Sequence, residues 1–178
     1  MSSKHWDIDP AHSEIQFKIR HLVISNITGS FNIFSGTMVT PVHDNFKNAE
    51  FEINIDVYSI DTNNSERDEH LKSEDFFDAD KYPEIKFRSA LFTHIDGDNY
   101  KLTGMLSVKD VTREITFDVL FGGQAKDGFG ISRAGFEING TINRNDFNIH
   151  AEDVTETGGL VIGEEIKLHA NIQFTHKE

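Results

Sequence analysis

Residues 49–58, Ala-Glu-Phe-Glu-Ile-Asn-Ile-Asp-Val-Tyr, alternate in character without a break. Ala49, Phe51, Ile53, Ile55 and Val57 fall on one face, and Glu50, Glu52, Asn54, Asp56 and Tyr58 on the other. That is the two-residue period of a β-strand. A wholly apolar face opposite a charged one predicts antiparallel strands with one side wet. Outward from this stretch the same period returns at Ile15, Phe17 and Ile19, across Tyr100 to Val108, from Ile115 to Phe121 and from Ile166 to Phe174. Three further strands change apolar parity part-way, between Ile33 and Phe34, near Ala90, and between Ile131 and Phe136 beside Gly135. A parity change inside a strand marks a bulge, and bulges supply the bends that closing a sheet requires. Asp96-Gly97-Asp98-Asn99 reads as a hairpin turn, as do Lys109 to Arg113 and a turn beginning at Gly122-Gly123. The count predicts an all-β, lipocalin-like antiparallel barrel of about eight strands, the size at which the interior holds one small ligand.

Composition narrows the function. The 178 residues suffice for one sizeable core and are read as a single domain over 1–178. The absence of cysteine excludes disulfides, thiolate metal sites and thiol catalysis. With 17 Lys and Arg against 30 Asp and Glu, the net charge of −13 disfavours nucleic acid and anionic lipid surfaces. No apolar run is long enough to span a bilayer as a helix, so integral membrane insertion is not expected. The start runs into Trp6 without an apolar signal core, which predicts a cytoplasmic protein as written, or a periplasmic one if the chain is a processed form.

The only segment that departs from strand patterning is Ser59 to Phe87. Ser65 to Lys72 reads as a short polar helix, with Ser65 and Asp68 spaced as an N-terminal capping pair, inside an insertion from Asn63 to Asp80. Pro83 ends any helix before the next strand. The order of residue types here, Ser59-Ile60-Asp61-Thr62, Arg67-Asp68, His70-Leu71, Ser73, Asp75-Phe76-Phe77, Tyr82-Pro83 and Phe87, resembles the signature of the YceI-like family of lipid-binding, polyisoprenoid-binding barrels. Trp6-Asp7-Ile8-Asp9, His12-Ser13, Gly104, Leu106, Val111-Thr112, Asn143-Arg144 and Asp146-Phe147 extend the resemblance from Trp6 to Phe174. Relatives usually carry His-Gly where this chain has Lys109-Asp110, and Gly where it has Asn148. Asp110 and Asn148 are expected to adopt the unusual backbone angles instead.

The resemblance implies a bacterial protein that binds, stores or transports a long-chain amphiphile without catalysis. The ligand would be a polyisoprenoid, an isoprenoid quinone or a fatty-acid derivative; no cofactor is obligatory, and a stress role follows by analogy alone. Composition is compatible: 15 Phe against one Trp and three Tyr favour an interior that offers no hydrogen-bond partners. On pattern alone, such faces more often interdigitate into a solid core, and it is the resemblance that reverses this expectation. The predicted chain-contacting set is Phe17 and Ile19, Phe31 and Ile33, then Ala49, Phe51, Ile53 and Ile55, with Phe76 and Phe77 from the insertion. It continues with Phe87, with Leu102, Gly104 and Leu106, with Phe117 and Val119, with Phe136 and Ile138, and with Leu168, Ala170 and Ile172.

His12, Arg67, Asp68 and His70 are candidate polar gate residues. Asp9 near His12-Ser13 has the residue types of a nucleophilic triad, but no Gly-x-Ser-x-Gly elbow accompanies it. Nine histidines show no H-x-H or H-E-x-x-H spacing, so no metal site is expected. Two competing readings remain, a small lipid-directed hydrolase or isomerase using Arg67, Asp68 and His70, and a filled barrel that acts as a dimer or interaction module.

Overall fold

Period-two segments become strands wherever an apolar face can be turned inward. The computed structural model describes residues 2–21, 24–43, 46–150 and 162–177. Eleven strands result: β1 (Ser3–Ile8), β2 (Glu14–His21), β3 (Ser25–Phe31), β4 (Phe34–Pro41), β5 (Glu50–Asp56), β6 (Ile60–Asp61), β7 (Glu84–Asp96), β8 (Asn99–Val108), β9 (Val111–Lys126), β10 (Ser132–Asn143) and β11 (Ile162–His176). One helix, α1 (Ser65–Lys72), separates β6 from β7.

The strands pair antiparallel in the order β1-β4-β5-β7-β8-β9-β10-β11, and β11 returns to β1 through Asp7 opposite Thr175 and Ile8 opposite Phe174. Eight strands therefore close a barrel, as expected. The remaining three extend its wall, β2 beside β11, β3 beside β2 and β6 beside β3. β1 and β2 are two halves of one bent strand, interrupted by a 3-10 turn at Pro10–His12, and both halves pair with β11.

The expected bulges near Ala90 and beside Gly135 are register shifts, between Ser89 and Leu91 and between Gly135 and Phe136. The parity change at Ile33 has another origin. The chain leaves the sheet at Asn32 and Ile33 between β3 and β4, so Ile33 is 61% exposed and does not face the interior. Gly122-Gly123 does not begin a turn either. β9 runs through both glycines, with Gly123 opposite Gly135 at the bulge, and the turn comes at Asp127. In the β8–β9 turn Lys109, not Asp110, takes the left-handed conformation, with φ 57°. Asn148 adopts it as expected, also at 57°.

Helix α1 has the expected bounds but a different cap. The Asn64 side chain accepts from the Arg67 N–H, while Asp68 Oδ1 accepts from the Thr62 N–H and hydroxyl at 2.9 and 2.5 Å. Thr62 is buried and supplies a fixed anchor, which outweighs a bond to the exposed Ser65.

The bend between β1 and β2 is held by charge. Asp9 accepts from Arg133 on β10 at 2.8 Å and pairs with His12 at 2.7 Å, and Arg133 also reaches Asp127 at 3.0 Å. The Arg133 guanidinium, and then His12, hold the Asp9 carboxyl below its ordinary value of 3.8. A carboxyl lowered by folding contributes stability above its unfolded value and loses it as pH falls through the folded one. Asp9→Asn is therefore expected to lower the melting temperature at neutral pH, and the gap from the parent should close in acid below 3.8. Thermal melts of both chains across that range test the assignment.

Candidate functional site

The two ends of the barrel interior are built differently. At the end near the β7–β8 hairpin, Phe46 from the β4–β5 connection plugs the lumen, its ring centroid 5.6 Å from Trp6, 4.8 Å from Phe121 and 5.7 Å from Phe136. Phe51 packs in the same cluster, 5.0 Å from Phe92 and 5.8 Å from both Phe136 and Phe174. These tilted and edge-on contacts are the favoured aromatic geometries. Trp6 donates its indole N–H to the buried Thr40 hydroxyl at 3.1 Å, so no polar group is stranded there.

Beyond Phe51 the inward side chains touch neighbours along the wall, as Phe87 does Phe117 at 5.5 Å and Phe17 does Phe31 at 5.5 Å, and leave the axis open. They surround a cavity of about 330 Å³, within the roughly 300–1,000 Å³ range of small-molecule pockets. The filled interior required by the dimer-module reading is therefore not what the barrel contains. Several inward apolar residues, including Phe17, Ile53, Ile55, Ile138 and Leu168, are only partly buried because they face this space.

Small residues on the wall explain why the axis stays open. A Cβ on Gly140 would lie 2.4 Å from Phe117 Cδ1, and one on Gly29 would lie 2.3 Å from Phe17 Cζ. Each ring occupies the room its neighbouring glycine leaves and so lies close against the wall. Gly140→Ala is expected to push Phe117 into the lumen, at about 1–3 kcal/mol of stability from overpacking, and to reduce the chain volume the cavity accepts. Gly128→Ala, where a Cβ meets nothing within 4 Å, is the control. Unchanged ligand capacity in Gly140→Ala would refute this account of the ring positions.

Most of the predicted set lies on the cavity wall: Phe17, Ile19, Phe31, Phe51, Ile53, Ile55, Phe76, Phe77, Phe87, Leu102, Leu106, Phe117, Ile138, Leu168, Ala170 and Ile172. Five residues do not. Ile33 is exposed, as described, and Ala49, Val119 and Phe136 are buried in the core off the cavity wall. Gly104 is displaced from the lumen by Phe87, whose Cζ lies 2.6 Å from where its Cβ would be. Phe174 and Ile166 line the cavity and were absent from that set, although they share the inward parity of Leu168.

The polar candidates separate. Arg67 and His70 line the cavity. Asp68 does not, because Thr62 engages it. His12 is exposed, 2.7 Å from Asp9 and apart from the cavity, while the Ser13 hydroxyl accepts from the Gln173 N–H at 2.9 Å. No His–Ser contact forms between them, so a triad is not assembled there. His70 Nε2 lies 3.0 Å from Asp75, and its ring meets Phe76 edge-on at 4.9 Å.

Arg144 is the group that sequence reasoning passed over, having named it only as a landmark. It is 3% exposed, lines the cavity, and donates through Nε to Gly163 O at 2.8 Å and through Nη1 to Ile149 O at 2.9 Å. Burial pushes its guanidinium below the usual range, and the charge of Glu164 opposes the shift. Period two carries the inward face of β10 from Phe136 through Ile138, Gly140 and Ile142 to Arg144, and that parity was the signal available.

The geometry defines a class: a closed antiparallel barrel, lipocalin-like, with an apolar cavity between an aromatic plug and a helix-flanked end. Within it, the chain belongs to the YceI-like family, whose domain profile matches residues 6–174. A UPF0312 protein of Staphylococcus aureus strain N315 is 36% identical over 175 residues, covering 98% of this chain and 99% of the relative. A solved YCEI protein from Campylobacter jejuni is 34% identical with a TM-score of 0.76, covering 90% of this chain and 91% of that one. BcnA of Burkholderia cenocepacia shares the fold at TM-score 0.81 and 21% identity, over 93% and 98% of the two chains. A polyisoprenoid binding domain from Saccharophagus degradans shares it at 0.67 and 13%, over 97% and 98%.

Proposed function

We propose that this protein binds a long-chain amphiphile inside the barrel and stores or carries it, without turning it over. The observation that carries the reading is the cavity of about 330 Å³, walled mainly by Phe, Ile and Leu. Each methylene transferred from water into such a space contributes about 0.8 kcal/mol, so one chain supplies affinity by burial rather than by hydrogen bonds. Family membership supports the same class of ligand. The fold shared with the Saccharophagus degradans polyisoprenoid binding domain makes an isoprenoid chain one candidate, beside quinones and fatty derivatives. Binding is preferred to catalysis because Asp68, the carboxylate an Arg67–His70 mechanism would use, is committed to Thr62.

Native mass spectrometry of the chain purified without detergent, followed by organic extraction, tests the proposal. A lipid-sized adduct that organic solvent removes is expected. A bare chain that also fails to take up added prenyl or alkyl lipids would end it.

A further inference from the structure

The charge inventory of the cavity is the reverse of that of the molecule. The chain carries 30 acidic and 17 basic residues, yet among the described residues the cavity wall holds two arginines, Arg67 and Arg144, and no Asp or Glu. Among the described residues, neither guanidinium has a carboxylate within ion-pair distance.

Arg144 donates only to neutral acceptors. Beside the two bonds already given, Nη1 reaches Asn145 Oδ1 at 3.2 Å and Nη2 reaches Ile162 O at 3.4 Å. A guanidinium has five N–H groups, so among the described residues one Nη2 hydrogen is left over. Carbonyl dipoles satisfy its geometry but do not neutralise its charge, and a buried charge without a counter-ion is costly. Arg67 is placed differently: it is half-buried, with Nε donating to Thr62 Oγ1 at 2.8 Å and Nη2 to Thr62 O at 2.6 Å. Asp68 Oδ1 accepts from the same Thr62 hydroxyl at 2.5 Å, so a carboxylate stands beside this guanidinium through one shared oxygen. Arg144 therefore keeps donor capacity, and a charge with no ion pair among the described residues, on the wall of an apolar space.

We propose that the cavity selects an amphiphile with a monoanionic head of the carboxylate class, received by the Arg144 guanidinium while the chain lies toward Phe51. This deepens the binding reading above and rests on it. A neutral head leaves the buried Arg144 charge without an ion pair. A monoanion relieves that cost in a medium where charge-assisted hydrogen bonds are stronger than in water. A dianionic phosphate ester meets the same arginine but is opposed by the −13 field of the surrounding protein.

The test uses the delipidated full chain and displacement of the neutral dye N-phenyl-1-naphthylamine at mildly alkaline pH, where the acid is ionised. Hexadecanoate, hexadecanol and hexadecyl phosphate share one tail and differ only in the head. Hexadecanoate is expected to bind about tenfold or more tighter than hexadecanol, the return of one charge-assisted hydrogen bond, and also tighter than the phosphate. Arg144→Gln should bring the acid-to-alcohol ratio toward one. It removes four bonds to its surroundings, so Arg144→Lys, which keeps the charge without the five-donor fork and should narrow the ratio, decides if that variant lacks a cooperative melt. Equal binding of acid and alcohol by the parent chain overturns the inference and leaves the binding function standing. A preference that the folded variant retains in full overturns the assignment to Arg144, and tighter phosphate binding overturns the monoanion. Uptake of no probe removes the binding reading as well.

Discussion

Ile53→Asp is expected to abolish chain uptake, lowering affinity beyond measurement, and to cost the fold about 3–5 kcal/mol. Ile53 lies mid-way along β5, opposite Phe87 on β7, and faces the cavity. The substitution deletes apolar contact and puts a carboxylate where no cation is in register with it. Desolvation raises the pKa of such a group, because burial disfavours the charged form. The stability deficit is therefore full at neutral pH, above the raised folded value, and should shrink as pH falls toward the unfolded value. Asn54→Asp supplies the control. It adds the same charge one residue away, on the outer face opposite Lys86, where a change within about 0.5 kcal/mol is ordinary. Urea titrations at two pH values, with dye displacement, separate the cases. Equal effects of the two substitutions would mean that the inward face of β5 has been misassigned.

Phe51→Ala is the second large effect, and it works in opposite directions on stability and capacity. Phe51 both lines the cavity and contacts Phe92, Phe136 and Phe174, so it forms the floor between the open and filled halves of the barrel. Truncating a buried Phe costs about 3–5 kcal/mol. The space released is continuous with the cavity, and a longer chain can enter it and recover about 0.8 kcal/mol per methylene buried. Across a series of saturated chains, the best-accepted length should move up by several methylenes, and the longest should restore part of the lost melting temperature by linkage. A destabilised variant with unchanged length preference would show that the plug, not Phe51, sets the depth. Ala49→Trp, by contrast, is an overpacking change at a residue 3% exposed and off the cavity wall, so it tests stability rather than chain length.

The strands were legible because their information is local. Which side of β5 or β11 faces inward depends on a two-residue period that sequence displays directly. The same holds for α1, whose bounds match the polar run from Ser65 to Lys72, and for the bulges at Ala90 and Gly135, where parity breaks within a few residues. Ile33 was misread by the same local rule, since a chain that leaves the sheet and a chain that bulges within it change parity alike.

Whether the inward residues would fill the barrel or surround a space was not local information. Phe136 and Ile138 share one face of β10, yet the first belongs to the aromatic cluster and the second faces the cavity. Depth along the barrel axis separates them, and that depth is set by partners distant in sequence. Phe46 arrives from a connection to stop one end, and Phe117 lies over Gly140 because the register of separate strands brings them together. Arg144 gains its role in the same way, its charge enclosed by the carbonyls of Gly163, Ile149 and Ile162. The sequence by itself determined an eight-strand barrel with apolar side chains inward, because alternation and turns act over a few residues. Only the tertiary structure decided that those side chains leave a space along the axis, because a void is a property of many surfaces at once and is carried by no single segment.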